Sequence, residues 1–283
     1  MKLAVIAQYL LPKQAITALA GKLAHWKGGK LTTSFIAWFV KRYQVNMHEA
    51  ENADIASYPT FNAFFTRPLK IEARPLAKAD FICPIDGAIS QFGFIEKDQI
   101  FQAKGHYYSS TALVGGNQSM AERYENGQFA CMYLSPKDYH RIHMPCDGKL
   151  LSMTYVPGDL FSVNPLTAAY VPGLFARNER VVCEFLSDQH GHFVLVLVGA
   201  TIVGSMATVW HQAKGGIVNP PRLPNIHTWE YRDKSIMLKQ GDEMGRFLLG
   251  STVVMLFQKE RIQFNPAWQP SMPVQLGSLM GLK

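Results

Sequence analysis

The chain has 283 residues, 48% of them hydrophobic, and its 28 Lys and Arg against 21 Asp and Glu give a formal net charge of +7. That length and apolar content suit one large domain or two smaller ones with a real core, and they argue against gross disorder. Four scattered cysteines with no C-x-x-C pair argue against a zinc ribbon or dithiol motif, so buried free thiols are expected.

The charge excess belongs to the N-terminus. Residues 1–45 carry Lys2, Lys13, Lys22, Lys27, Lys30, Lys41 and Arg42 and no acidic residue, which leaves the rest of the chain formally neutral. Within this segment Ile16, Leu19, Leu23 and Trp26 recur at helical spacing. A Gly28-Gly29 break follows, and Leu31, Phe35, Trp38, Phe39 and Tyr43 suggest a second helix. Basic side chains interleaved with Trp, Phe and Leu describe helices lying in a bilayer interface, drawn to anionic headgroups by roughly 1 kcal/mol per lysine. Leu19, Leu23, Trp26, Phe35, Trp38 and Phe39 are the expected membrane contacts. Nucleic-acid binding fits so apolar a basic segment poorly. A spanning helix needs about 20 apolar residues, and the lysines cut the segment short. Lys2, an apolar stretch and Ala18-Leu19-Ala20 imitate a secretory signal, but Pro12-Lys13-Gln14 interrupts it. A helical hairpin packed on the protein's own core is the remaining alternative.

Between Tyr58 and Pro68 the sequence is aromatic-rich. Thr60 is placed to cap a short helix that Pro68 ends, with Phe61, Phe64 and Phe65 on one apolar face. After residue 80 the chain reads mainly as strands, in β-rich runs such as Phe193–Gly204 and Thr252–Phe257 separated by Gly, Pro and Asp turns. The expected class is α+β: a predominantly antiparallel β core with an N-terminal amphipathic helical membrane-binding region. Residues 1–75 are expected to form the helical region and residues 76–283 a β-rich domain.

Three strings carry possible chemistry. Asp86-Gly87 is a turn signal. Ser135-Pro136, with Asp138 three residues on, reads as a helix start, with His140 ending that helix and His143 entering the next strand. Two histidines three apart, without a third ligand at recognisable spacing, argue against a metal site. Met244–Phe257 reads as a buried strand interrupted by Gly250-Ser251, where the glycine marks a bulge or a close approach. No Cβ shields the Gly250 carbonyl, and the Ser251 hydroxyl can attack it through a five-membered ring. A serine nucleophile needs an adjacent base and the base an orienting group; Asp86, His143 and Ser251 supply those types.

In order and spacing, the strings Thr66–Leu69, Pro84–Gly87, Gln102–His106, Tyr133–Pro145, Tyr155–Asn164, Leu174–Arg180, Val198–Ser205 and Met244–Thr252 resemble the bacterial phosphatidylserine decarboxylases along nearly the whole chain. Ile85 stands where an alanine is common in that family. The resemblance implies a proenzyme that cuts itself between Gly250 and Ser251 into a β chain (1–250) and an α chain (251–283). Asp86 would orient His143, and His143 would activate Ser251. Ser251 would become a covalent pyruvoyl group, the only cofactor, with no metal. Phosphatidylserine in an anionic membrane would form a Schiff base with it, lose CO2 and leave as phosphatidylethanolamine. His140 would handle a proton near the substrate, and Ser162 and Asn164 would line the site. The family further implies an α–β heterodimer, a dimer of such protomers, and a peripheral place on the cytoplasmic face of the cell membrane. Three alternatives stay open. A pyruvoyl enzyme acting on a soluble amino acid leaves the basic-aromatic N-terminus without a purpose. A lipase-like hydrolase lacks its elbow, because Val253 stands where a second glycine belongs. A membrane-associated binding module would carry an inert Gly-Ser bulge.

Overall fold

Helices dominate the start of the chain and strands the rest, with short helices such as Pro165–Ala168 set among the strands. The structure is a computed structural model that describes residues 3–202, 205–211, 218 and 223–283; Lys2 and the end of the Phe193–Gly204 run (Val203 and Gly204) lie outside the described residues. The first three helices are α1 (Leu3–Leu10), α2 (Lys13–Ala24) and α3 (Lys30–Tyr43). Pro12, which has no N–H to continue a helix, separates α1 from α2. Gly29, at φ 56°, reverses the chain into α3 in a backbone region that favours glycine. Among the described residues no helix is long and apolar enough to cross a membrane.

The short helix α4 (Phe61–Phe65) begins where its cap residue places it. The Thr60 hydroxyl accepts the Ala63 N–H at 3.0 Å. Phe61, Phe64 and Phe65 are buried against Phe39 of α3 in an aromatic cluster with edge-to-face pairs about 5–6 Å apart. Phe39 is only 8% exposed, which corrects its expected place on the membrane-facing surface. Its neighbours on that face behave differently: Leu23 is 60% exposed, Trp26 51% and Trp38 54%, and Leu19, Leu31 and Phe35 are exposed too. Large apolar side chains left in solvent as a contiguous set mark an interaction surface.

Beyond residue 80 the chain is mixed but dominated by antiparallel sheets. The largest runs in the order His227–Glu230, Gly148–Val156, Arg180–Ser187, Gly191–Val198, Thr252–Phe257, Gln128–Tyr133, Gly87–Phe94, Pro273–Val274, with Met237–Leu238 also pairing with Gly148–Val156. Among the described residues the smaller sheets are Met206–Thr208 with Glu243–Phe247 and Arg141–His143, Phe81–Ile82 with Leu279–Leu282 and Gln263–Phe264, and the pair Gln99–Ala103 with His106–Ser109. Core side chains fill both faces of the large sheet, one set around Met132, Leu195 and Met255, the other around Cys131, Val196 and Val254. All four cysteines are buried and free.

Thr252–Phe257 lies inside the large sheet. It is fully buried and paired on both sides, with Thr252 opposite Val198 on one neighbour and Tyr133 on the other. The run Met244–Phe257 is therefore not one bulged strand. Glu243–Phe247 belongs to a smaller sheet, and the chain turns through Leu248–Ser251 before entering the large one. Gly250-Ser251 forms a corner between two sheets.

Candidate active site

The corner is built around an imidazole. A Cβ placed on residue 250 would meet His140 Nε2 at 2.8 Å, so only glycine lets the ring approach the main chain this closely. Ser251 is buried at the mouth of its strand, and its hydroxyl donates to the Val198 carbonyl.

His140 is held by its other nitrogen. The segment Leu134–His140 is a turn rather than the expected helix, because the Asp138 carboxylate accepts both the Ser135 N–H and the Ser135 hydroxyl, each at 2.7 Å, and closes the chain on itself. The Asp138 carbonyl then lies 2.7 Å from His140 Nδ1. A carbonyl only accepts, so Nδ1 carries the proton and Nε2 keeps its lone pair. Among the described residues Nε2 has no hydrogen-bond partner. Phe65 packs on the ring with centroids 4.0 Å apart. Burial pushes the His140 pKa down to about 3, so the imidazole is neutral at physiological pH.

His143 lies in the strand Arg141–His143, as expected, but both of its nitrogens are engaged elsewhere. Nδ1 donates to the Gly241 carbonyl at 2.7 Å, and Nε2 accepts the Tyr139 hydroxyl at 3.1 Å. Burial, opposed by that backbone bond, lowers its pKa. Asp86 is taken by Arg74, whose Nε donates to both carboxylate oxygens (2.9 and 3.1 Å) and whose Nη2 reaches Oδ2 at 2.5 Å. The Leu276 N–H adds a further bond at 2.9 Å, and Arg74 also binds Glu49 at 2.8 Å. In this conformation Asp86, His143 and Ser251 share no hydrogen bond with one another. The structure instead brings His140, Gly250 and Ser251 together.

Gly250 and Ser251 open into a cavity of about 420 Å³ whose wall includes Phe65, Tyr133 and Ser162. An apolar cavity of about 330 Å³, lined by Leu23 of α2, Leu31 of α3 and Trp26 between the two helices, shares Phe35, Phe61, Ile202 and Leu249 with it. Ser162 lines this cavity, while the Asn164 side chain caps the helix Pro165–Ala168 by accepting the Thr167 N–H at 2.8 Å. The N-terminal helices grip the same wall. Gln8 of α1 accepts the Ser162 N–H at 2.8 Å, and Thr17 of α2 accepts the Ile202 N–H at 3.1 Å. Arg74, Tyr139, Gln8 and Thr17 were not singled out by sequence. Tyr139 is a local neighbour of His143, four residues away, but the partners named here for Arg74, Gln8 and Thr17 lie 12 to 185 residues away, beyond any local pattern.

Comparison with known proteins adds independent findings. A family profile described as phosphatidylserine decarboxylase matches residues 61–282, and a second, described as PSD, matches residues 3–44. A phosphatidylserine decarboxylase proenzyme of Dechloromonas aromatica is 68% identical over 280 residues, covering 99% of this chain and 98% of the relative. The proenzyme of the same name from Methylobacillus flagellatus is 70% identical over 274 residues, 96% of each chain. That of Albidiferax ferrireducens is 67% identical over 279 residues, 99% of this chain and 96% of the relative.

Proposed function

The chain belongs to the phosphatidylserine decarboxylase family, and from that premise we propose how its own residues carry the reaction. It is a lyase made as a proenzyme, converting phosphatidylserine to phosphatidylethanolamine and CO2. The observation that carries the site assignment is the free Nε2 of His140 against Gly250, at the mouth of a cavity that Ser251 also lines.

In the maturation step, Ser251 Oγ attacks the Gly250 carbonyl carbon. The C–N bond breaks as the ester C–O bond forms, and the released amine keeps the proton. Loss of the Cα proton of residue 251 then expels the Gly250 carboxylate from Cβ. Water replaces nitrogen on the resulting dehydroalanine, releasing ammonia and leaving a pyruvoyl group at the head of a 33-residue chain. The surroundings fit such a group, since residue 250 presents no side chain and the unpartnered His140 Nε2 faces it. The pyruvoyl group supplies the electron sink that decarboxylation of an amino acid requires. The short chain stays in place after the cut. Thr252–Phe257 is hydrogen-bonded on both edges, Pro273–Val274 pairs with Gly87–Ala88, and Leu279–Leu282 pairs with Phe81–Ile82.

We assign proton handling at the substrate to His140, a neutral base whose orientation is fixed by the Asp138 carbonyl. Asp86 and His143 are assigned the relay to Ser251 during self-cleavage, in a conformation where His143 exchanges Tyr139 for the serine and Asp86 turns from Arg74. A second reading makes His140 the cleavage base as well, and its position at Gly250 favours it. His143→Ala and His140→Ala separate the two. The first reading predicts that His143→Ala stays uncut and that His140→Ala is cut but releases no CO2 from phosphatidylserine micelles. An uncut His140→Ala beside a cut His143→Ala supports the second.

The exposed row of Leu19, Leu23, Trp26, Phe35 and Trp38 is assigned as a membrane foot of the region 1–75, peripheral on the cytoplasmic face. It places the apolar cavity between α2 and α3 at the bilayer, where an acyl chain enters. Ser162 is assigned to the substrate wall, Asn164 to its support, and the working unit to a dimer of α–β protomers.

A further inference from the structure

A second cavity, of about 670 Å³, lies on the other side of Tyr133 and Val163, which line both it and the cavity at Ser251. Its wall holds Arg67, which is only 4% exposed. The Nε of Arg67 has no hydrogen-bond partner, and among the described residues its guanidinium makes only a cation–π contact, 5.2 Å from the Phe64 ring. Asp86 and Glu49 act on it only through their fields, since neither bonds it, and a buried cation without a bonded anion is costly.

The acidic residues of the cavity are already engaged. Arg74 binds both Asp86 and Glu49, and the Asp138 carboxylate is turned to the Ser135 N–H and hydroxyl. Lys137 is exposed at the rim and, among the described residues, forms no ion pair, and the amides of Gln44 and Asn46 stand on the same wall. We propose that this cavity is an oxyanion site, in which Arg67 and Lys137 bind a phosphate group carried either by a lipid headgroup or by free phosphate. Burial also lowers the Arg67 pKa, and an anion beside it opposes that shift. The proposal rests on the cavity alone and does not depend on which histidine serves cleavage or decarboxylation.

The test is calorimetric titration of the purified full-chain protein in two arms, against sodium chloride at matched ionic strength. One arm uses inorganic phosphate; the other uses monomeric short-chain phosphatidylglycerol, which carries a phosphodiester and no carboxylate. Saturable binding of phosphate identifies the ion itself as sufficient, and binding of the lipid alone identifies a headgroup site. In either case Arg67→Gln weakens binding about tenfold, and Lys137→Gln about twofold to fivefold. Should Arg67→Gln not fold, Asn46→Asp takes its place. It keeps the side-chain oxygen that caps His48 N–H but adds a repelling charge to the wall, and it too weakens binding. Neither ligand binding beyond the chloride control overturns the proposal, as does unchanged affinity in Lys137→Gln together with Asn46→Asp or Arg67→Gln.

Discussion

His140 Nε2 lies 2.8 Å from the point that a Cβ of residue 250 would occupy, so the imidazole and the missing side chain are one feature. Glycine at 250 is required by the ring, and the ring is held there by the Asp138 carbonyl and by Phe65.

Gly250→Ala pushes a methyl into that ring. Overpacking of this kind costs about 1–3 kcal/mol. The variant is expected to fold with a modestly lower Tm and to cleave at least tenfold more slowly, followed as the uncut fraction on a denaturing gel. Cleavage at the wild-type rate would show that the attack of Ser251 does not require a bare glycine carbonyl at 250.

The buried histidine sets a pH dependence of stability. His140 titrates near 6.5 in an unfolded chain and about 3 in the fold. The unfolded chain therefore takes up this proton first as pH falls. Stability is complete above about pH 6.5 and declines from there toward pH 3, at about 1.4 kcal/mol per pH unit from this one group. His143, whose pKa burial also lowers, acts in the same direction. Urea unfolding at pH 7, 6 and 5 measures the slope, which His140→Gln reduces. A slope identical in the variant contradicts a neutral buried His140.

Arg74 and Asp86 form a nearly buried pair with several hydrogen bonds. Arg74→Met leaves Asp86 with the Leu276 N–H as its remaining partner and is expected to lower stability by about 3–5 kcal/mol. The double variant with Asp86→Asn recovers part of that loss, because the stranded charge is gone. Chemical unfolding of the three proteins gives the coupling, and independent additive losses would show that the pair is not a unit.

How far the sequence reaches is visible residue by residue. Thr60 as a cap and the Gly28-Gly29 break are local signals, and the structure follows them. So are the antiparallel core and the strand at His143. Other features depend on distant partners. The Tyr139 and Gly241 groups that occupy His143 come together only by folding, and so do Arg74 and Asp86. Phe39 has the same composition signal as Trp38, but α4 packs over one and not the other. The Ser135-Pro136 helix start failed because Asp138, an ordinary first-turn acid, bonds back to Ser135 and closes a turn. The corner at Gly250 was hidden because apolar residues flank it on both sides, and one buried run looks like another whichever sheet it joins.

The membrane foot has its own test. Trp26→Ser with Trp38→Ser removes two half-exposed indoles without disturbing the Phe39 cluster. Flotation with anionic vesicles should fall about tenfold or more, because each ring contributes on the order of 1–2 kcal/mol at the interface. Activity on micellar substrate falls less. Undiminished flotation would remove these two side chains from the interface.

The most direct measurement is the intact mass of the purified protein after full maturation, alongside Ser251→Ala. The account predicts two polypeptides of 250 and 33 residues from the wild type, the smaller beginning with a hydrazine-reactive pyruvoyl group, and a single inactive chain from the variant. A wild-type protein that decarboxylates phosphatidylserine as one unbroken 283-residue chain would contradict it.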